Sequence, residues 1–116
     1  MLFICYPKCI TCQKAQKWLL EHHADFSLRD IKLDRPAEDE LRAWHQASGL
    51  PLKRFFNTSG LQYKALGLKD KLPSMTFDEQ YALLASDGLL VKRPLLIGED
   101  FVLVGFKESE WSERLG

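Results

Sequence analysis

The sequence predicts an α/β fold built on a mixed four-stranded sheet. Roughly the first 33 residues contain an apolar strand, an amphipathic helix and a second strand in that order. A strand, helix and strand of this length form a parallel pair, because the helix crosses over between the strands. Two short apolar segments near the C-terminus are predicted to form an antiparallel hairpin. Helical patterns fill the chain between these two halves.

The first half is predicted from clear start and stop signals. An apolar strand over residues 2–6 ends at Pro7, and a helix follows from Ile10 to about residue 23. Its apolar face consists of Ala15, Trp18, Leu19 and His22. A second strand over residues 26–33 shows the alternation of apolar and polar residues that is typical of strands.

The middle of the chain is predicted to be a helical insertion over about residues 35–88. Its first helix begins at Pro36, a favoured first helical residue, and ends at Gly49. The small polar residues 57–60 are expected to cap a short helix that ends near residue 67. Thr76 and Glu79 have the spacing of a capping box for a further helix that ends at Gly88.

The C-terminal part returns to strands. Residues 95–97 and 101–104 are predicted to pair as a hairpin around the turn at residues 98–100, and a final helix covers residues 107–115. The complete order is that of a thioredoxin-like fold with a helical insertion between its βαβ and ββα halves. Because no linker or low-complexity stretch interrupts residues 1–116, we expect a single domain.

Composition excludes several classes of partner. The chain of 116 residues has sixteen basic and sixteen acidic side chains, so no net charge would attract nucleic acid or an anionic membrane. Only about four apolar residues precede Pro7, and no stretch reaches the roughly 18 that a membrane span requires. We therefore expect a cytoplasmic protein that binds neither membranes nor nucleic acid directly.

Two cysteines two residues apart are the most informative motif. Cys9 and Cys12 lie where the first strand leads into the first helix, and this spacing at a helix start indicates a redox motif. The exposed N–H groups and the positive dipole end of the helix favour a thiolate at Cys9. Lys8 and Lys14 add positive charge nearby. Cys12, one turn further on, is placed to close a disulfide with Cys9.

Zinc is the main alternative explanation of the cysteine pair. His22 and His23 lie ten and eleven residues beyond Cys12, about 15 Å along the same predicted helix, so they cannot complete a site whose ligands sit about 2 Å from the metal. Cys5 is expected to be a packed core thiol, and His45 to lie at a core edge. No metal site is therefore predicted. Nucleotide and flavin motifs are also missing, so we expect no bound cofactor.

Four segments together resemble the glutaredoxin-linked arsenate reductases and their Spx-like relatives. They are Tyr6-Pro-Lys-Cys-Ile-Thr-Cys-Gln-Lys-Ala, Phe56-Asn-Thr-Ser-Gly with Tyr63, Lys92-Arg-Pro-Leu-Leu-Ile and Val104-Gly-Phe-Lys-Glu-Ser-Glu-Trp. The resemblance implies that Cys9 is the nucleophile, Arg93 an anion-binding residue and Pro94 a cis-proline facing the thiol. From the residues alone, Arg93 could equally be an exposed cation and Pro94 a trans-proline at a strand start.

The chain departs from the family pattern in two ways. The arsenate reductases coupled to glutathione use one cysteine and three arginines, whereas this chain has a second cysteine and only one arginine. The matching positions hold Asn57, Arg93 and Phe106, with Lys107 beside the last. The second cysteine is the Spx-like pattern, in which the pair is a redox switch on a regulator that binds RNA polymerase. The chain ends without the longer basic tail of that branch.

These observations lead to two hypotheses. The first is a thiol-disulfide oxidoreductase related to arsenate reductase, with Cys9, Cys12 and Arg93 catalytic and Lys8, Asn57, Pro94 and Lys107 contacting the substrate. Its substrate would be a disulfide or a small oxyanion, and glutathione with glutaredoxin, or thioredoxin, would be the external reductant. The second is an Spx-like redox sensor that binds RNA polymerase and has no turnover. The residues favour the first.

Overall fold

Four short strands form one sheet in the computed structural model, which describes residues 1–115. The strands are β1 (Leu2–Cys5), β2 (Ser27–Asp30), β3 (Leu95–Ile97) and β4 (Val102–Val104). Their order across the sheet is β2-β1-β3-β4, with β1 and β2 parallel and the other two pairs antiparallel. Phe3 in the central strand is opposite Leu28 on one side and Leu96 on the other. The predicted mixed sheet is therefore confirmed.

The helices also follow the predicted order. They are α1 (Ile10–Glu21), α2 (Glu38–Ser48), α3 (Leu61–Ala65), α4 (Leu68–Lys71), α5 (Phe77–Ser86) and α6 (Glu108–Leu115), with 3₁₀ turns at Leu52–Phe55, Leu72–Ser74 and Gly88–Leu90. The capping box of α5 is present, since Thr76 Oγ1 accepts a hydrogen bond from the N–H of Glu79 at 3.1 Å. Among residues 1–115, no helix has the length and hydropathy that a membrane crossing requires.

Two apolar clusters cover the two faces of the sheet, as the alternation of side chains along each strand requires. One cluster joins the sheet to α1 and α6 and contains Phe3, Cys5, Cys12, Ala15, Trp18, Leu19, Leu96 and Trp111. The other joins it to the insertion and includes Ile4, Ile31, Leu41, Phe55, Phe56, Tyr81, Leu84 and Leu95. The insertion thus packs on the sheet, while its inability to fold alone stays a prediction.

Two predicted boundaries are wrong because nearby polar side chains end or begin the elements. The second strand stops at Asp30, since Asp30 Oδ1 accepts the N–H groups of Lys32 and Leu33 at 2.8 and 3.1 Å and turns the chain. The helix α2 begins at Glu38 and not at Pro36. Ala37 is its extended N-cap residue, and its N–H donates to Glu40 Oε1 at 3.0 Å.

Three further details of the insertion and of α1 differ from the predictions. Residues 57–60 form a turn before α3, but no side chain caps that helix. The helix α5 ends at Ser86, because Asp87 is extended and its carboxylate accepts the N–H of Leu89 at 2.9 Å. Gly88 starts the following 3₁₀ turn. The helix α1 ends at Glu21, two residues before His23, whose φ is +53°.

Candidate active site

Cys9 occupies the junction between β1 and α1. Its N–H donates to the carbonyl of Tyr6 at 2.9 Å, and its own carbonyl accepts the N–H of Gln13 at 3.0 Å, which is the first turn of the helix. Its backbone is extended, as expected for the N-cap residue of α1. The side chain is half-buried and faces an open cleft. This position aims the sulfur at the free N–H groups of the helix start.

The surroundings of Cys9 lower the pKa of its thiol. Partial burial opposes ionisation, but the backbone N–H and the thiol of Cys12, the Arg93 guanidinium and the backbone N–H of Thr11 all stabilise the thiolate. The combined hydrogen bonds outweigh the cost of burial. The lowered pKa of the Cys9 thiol thus has specific causes in this chain, as the helix start predicted, while its role as nucleophile stays a prediction.

Cys12 has the opposite environment. It is 1% exposed, lies against the sheet, and accepts the backbone N–H of Tyr6 on its sulfur at 3.3 Å. Burial and the neighbouring charges of Cys9 and Cys5 raise the pKa of the Cys12 thiol to about 12, despite that hydrogen bond. The two cysteines are in hydrogen-bond contact with each other, so Cys12 is a protonated donor towards a Cys9 thiolate.

Cys5 is a core thiol, as predicted. It ends β1, is 2% exposed, and belongs to the same apolar cluster as Cys12. Burial, the nearby Asp30 carboxylate and Cys9 raise the pKa of its thiol, which keeps it protonated. All three cysteines are reduced in the structure. The arrangement therefore contains one accessible thiol and two covered ones.

Arg93 lines the cleft, and the buried Pro94 follows it in the chain. The Arg93 guanidinium stacks over the Tyr6 ring at 5.2 Å and donates to the Leu89 carbonyl at 3.2 Å. These two contacts hold it where it stabilises the Cys9 thiolate. The peptide bond before Pro94 is cis, as the resemblance implied, and the proline is buried. Its carbonyl accepts the N–H of Gly105 at 2.8 Å.

An open cleft of about 650 Å³ surrounds the exposed side of Cys9. It is lined by Tyr6, Cys9, Thr11, Asn57, Ser59, Gly60, Leu61, Gln62, Leu89, Lys92, Arg93 and Phe106. The first strand-helix loop, the turn before α3 and the segment before β3 all contribute. A small disulfide or a loop of another protein has room to reach the sulfur of Cys9 in a cleft of this volume.

The structure brings only some of the expected substrate-binding residues to this cleft. Asn57 lines it, and its N–H is fixed by the Leu90 carbonyl at 2.7 Å. Lys8 and Lys107 are exposed and do not line the cleft. Phe106 stands in the wall instead of a cation. The roles of Lys8, Asn57, Pro94 and Lys107 towards a substrate stay predictions.

Sequence reasoning missed three contributors to the site. Tyr6 contacts both cysteines through its backbone and Arg93 through its ring, and the Leu89 carbonyl holds the same arginine. Lys92 also lines the cleft, although a role in the site was predicted only for its neighbour Arg93. The one sequence signal that could have revealed a missed contributor is the position of Tyr6 directly before the cysteine motif. Backbone contacts such as that of the Leu89 carbonyl do not depend on residue type, so no residue pattern indicates them.

The histidines have structural contacts. The His22 ring stacks on Trp18 with centroids 3.8 Å apart, and His45 Nδ1 lies 2.6 Å from the Tyr81 hydroxyl at the core edge, as expected. Within residues 1–115, no group of three or more His, Cys, Asp or Glu side chains has the arrangement of a metal site.

Comparisons with known proteins by sequence and by structure identify the same family. Residues 5–114 match the ArsC family. The chain is 51% identical over 114 residues to the uncharacterized protein YusI of Bacillus subtilis (strain 168), covering 98% of this chain and 97% of that one. It is also 28% identical over 104 residues to the global transcriptional regulator Spx of the same strain, covering 90% and 78% of the two chains.

Solved structures agree with this match. An ArsC family related protein from Bacteroides fragilis superposes with a TM-score of 0.94 at 58% identity, over 97% of this chain and 94% of that one. A possible arsenate reductase from Streptococcus mutans UA159 has a TM-score of 0.87 at 46% identity, over 96% of both chains. The match along nearly the whole sequence and the shared fold establish that this chain belongs to the ArsC family.

Proposed function

We propose that this protein is a thiol-disulfide oxidoreductase in which Cys9 is the nucleophile and Cys12 the resolving thiol. The observation that carries the proposal is the asymmetry of the two sulfurs. Cys9 lines an open cleft with the pKa of its thiol lowered, whereas Cys12 is buried beneath it with a pKa of about 12. One thiol is thus accessible and ionisable, and the second is protected until the first has reacted.

In the first step, the Cys9 thiolate attacks one sulfur of a substrate disulfide. A Cys9–substrate disulfide forms, the substrate S–S bond breaks, and the second substrate sulfur leaves as a thiolate. Arg93 and the backbone N–H of Cys12 are placed to stabilise charge at the reacting sulfur. The Tyr6 contact keeps the guanidinium in this position.

In the second step, Cys12 attacks the sulfur of Cys9 and releases the other half of the substrate as a thiolate. Burial raises the pKa of Cys12, but part of the increase comes from the charge of Cys9 and from the hydrogen bond between the two thiols. Both effects end when Cys9 becomes a neutral disulfide sulfur. The Tyr6 N–H then stabilises the Cys12 thiolate, so the resolving thiol ionises more easily after the first step than before it.

The products are a reduced substrate and a Cys9–Cys12 disulfide. Two electrons have moved to the substrate, so a second dithiol must return them before the next cycle. We propose that a glutathione–glutaredoxin or thioredoxin system is this reductant and that the cycle runs in the reducing cytoplasm. The small oxyanion that relatives named arsenate reductase suggest is retained as an alternative electrophile.

The direct test uses 2-hydroxyethyl disulfide, with NADPH oxidation coupled through either reducing system. Wild-type protein should turn over, and Cys9→Ser should be inactive. Cys12→Ser should complete only the first step with a protein disulfide and accumulate a mixed disulfide on Cys9, detectable by mass. Turnover that survives in Cys9→Ser would contradict the proposal, because no other accessible cysteine lines the cleft in residues 1–115.

A second candidate function is a redox sensor that binds RNA polymerase without turnover. The similarity to Spx and the presence of both cysteines favour it. In that case oxidation would change the affinity for the polymerase, and the reducing systems would recycle the protein without consuming a substrate. Steady-state NADPH oxidation beside polymerase binding by the reduced and oxidised forms separates the two functions.

A further inference from the structure

The charge of the chain is strongly divided between the cleft and the rest of the molecule. Residues 6–14, 51–65, 89–93 and 105–107 contain every residue that lines the cleft, and together they carry eight basic and no acidic side chains, of which Lys92 and Arg93 line the cleft itself. The other residues carry eight basic and all sixteen acidic ones. A neutral protein therefore presents a basic face around Cys9, and such a face attracts acidic partners.

A second cavity extends this face beyond the cleft. It has a volume of about 330 Å³ and is lined by Pro51, Lys53, Arg54, Phe56, Thr58 and Lys92. Lys92 lines both the cavity and the cleft, so the two are neighbours. Within residues 1–115, neither Lys53, Arg54 nor Lys92 forms an ion pair with a carboxylate. Their charges are thus available to a partner.

Two exposed aliphatic side chains accompany the cations. Ile10, directly after Cys9, is 68% exposed, and Leu61 in the cleft wall is 81% exposed. Aliphatic side chains at such positions give nothing to an inorganic oxyanion, but they bury apolar surface against a protein. Because both side chains lie near the reactive residue, they indicate that the molecule that reacts with Cys9 also contacts this face through apolar groups.

We propose that the natural substrate of Cys9 is a protein disulfide flanked by acidic and aliphatic residues, which docks on the face formed by Ile10, Leu61, Lys53, Arg54 and Lys92. The inference rests on the proposed disulfide-reductase function. The substrate's aliphatic groups contact Ile10 and Leu61, and its carboxylates enter the second cavity. The Cys9 thiolate breaks the substrate S–S bond, Cys12 closes the intramolecular disulfide, and the substrate leaves with two thiols and two more electrons.

A protein explains this face better than a nucleic acid does. The reaction of Cys9 needs a sulfur electrophile, which unmodified nucleic acid lacks. The most exposed apolar side chains of this face, Ile10 and Leu61, are aliphatic, whereas single-stranded nucleic acids are bound through aromatic stacking. The combination of an aliphatic centre and a charged rim is that of a protein-protein interface.

The test compares cyclic peptide disulfides of one length that differ only in having Asp, Asn or Lys beside the cysteines. Each single-turnover reduction rate is divided by the rate with uncharged 2-hydroxyethyl disulfide. At low salt we expect the relative rate of the Asp peptide to be about tenfold higher than that of the Lys peptide. This Asp-to-Lys ratio should approach one at about 0.5 M salt. Lys53→Glu combined with Arg54→Glu should abolish or invert the ratio.

Two further variants complete the design. Two Asp peptides are compared, one with leucines and one with serines beside the cysteines. Leu61→Ser should lower the reduction rate of the leucine peptide to that of the serine peptide. Lys32→Glu reverses one charge at an exposed position after β2, outside the face, and should leave the ratio unchanged. If 2-hydroxyethyl disulfide is not reduced, the proposed function itself fails, and the inference with it.

If that small disulfide is reduced but all peptides react at equal relative rates, only the docking inference is overturned. It is equally overturned if a single-stranded DNA oligonucleotide inhibits the neutral and acidic peptides alike, because the face would then be a general anion surface. Inhibition by a linear acidic peptide without cysteine, weakened by Lys53→Glu with Arg54→Glu, would support it.

Discussion

The Arg93 guanidinium lies over the Tyr6 ring, 5.2 Å from its centroid. Through its backbone, the same tyrosine accepts the N–H of Cys9 at 2.9 Å and donates to the sulfur of Cys12 at 3.3 Å. Tyr6 therefore contacts the three residues on which the proposed chemistry depends. A cation over an aromatic face gains about 0.5–1 kcal/mol at exposed sites, which is enough to bias the orientation of a long side chain.

Tyr6→Leu is predicted to raise the pKa of Cys9 and to slow its reaction with disulfides. The substitution keeps the backbone contacts but removes the ring beneath Arg93, so the guanidinium spends less time beside the thiolate. Tyr6→Phe is the matched control, since it retains the ring. The measurement is the alkylation rate of Cys9 against pH. Equal profiles for the two variants would show that the ring does not position Arg93.

Cys9 is predicted to be alkylated at neutral pH, whereas Cys12 reacts only in strongly alkaline solution. The reactive form is the thiolate, so each rate falls as pH decreases through the pKa of that thiol. The pKa of Cys9 is lowered, so its thiolate forms at a lower pH than that of an ordinary cysteine, whereas the pKa of Cys12 is raised to about 12. Peptide mapping of the reduced wild-type protein after alkylation gives the two profiles, because both thiols then keep the neighbours that set their pKa values. Coincident profiles would contradict the assigned asymmetry.

Mild oxidation is predicted to link Cys9 to Cys12 and to leave Cys5 as a thiol. The first two are in hydrogen-bond contact, whereas Cys5 is 2% exposed in the central strand. Peptide mapping after oxidation decides the connectivity. A main product that contains Cys5, or a disulfide between two molecules, would mean that the resolving role is misassigned.

The sequence predicted the ends of helices and strands best where a single residue type determines the local backbone conformation. Pro7 ended the first strand, Thr76 with Glu79 marked the start of α5, and the paired cysteines marked the start of α1. Each signal is local, because a missing N–H, a capping hydroxyl or a dipole end acts within one turn. The parallel pairing of β1 with β2 and the antiparallel pairing of β3 with β4 followed from the connections between these elements.

Features that depend on tertiary contacts, on backbone groups or on very short segments could not be predicted. The position of Arg93 depends on the Leu89 carbonyl and the Tyr6 ring, and nothing in the pattern of residues 89–93 indicates either contact. The short helix Leu68–Lys71 was missed because one helical turn shows no periodicity. Lys8 was expected in the cleft from its neighbour Cys9, but adjacent residues on an irregular segment need not face the same way.

Gly88→Ala is predicted to destabilise the fold by about 1–3 kcal/mol or more. A Cβ atom there would overlap the carbonyl oxygen of Ile31, a backbone atom that can shift only if the chain around it also shifts. Gly49→Ala is the comparison, since its Cβ meets open space but its φ of +68° costs about 1 kcal/mol for a side-chain residue. Urea unfolding measures both. A smaller loss at Gly88 than at Gly49 would refute the contact argument.

The purified protein is predicted to reduce arsenate poorly, despite the names of some relatives. Arsenate is a multiply charged oxyanion, and its transfer to Cys9 adds negative charge that fixed cations must stabilise. Two positions at which the family resemblance implied arginine hold Asn57 and Phe106, and both line the cleft. Removing one preorganised donor typically costs about 2.7–4 kcal/mol, or roughly 10²–10³ in rate.

The remaining cations do not replace the missing pair. Lys92 lines the cleft but supplies a point charge without the bidentate fork of arginine, and Lys107 lies outside the lining. The assay is arsenate-dependent NADPH oxidation with the glutathione–glutaredoxin and thioredoxin systems, beside disulfide reduction by the same preparation. Disulfide reduction should be the faster activity. Efficient arsenate turnover that disappears in Arg93→Ala would show that one arginine suffices, and the charge argument would fail.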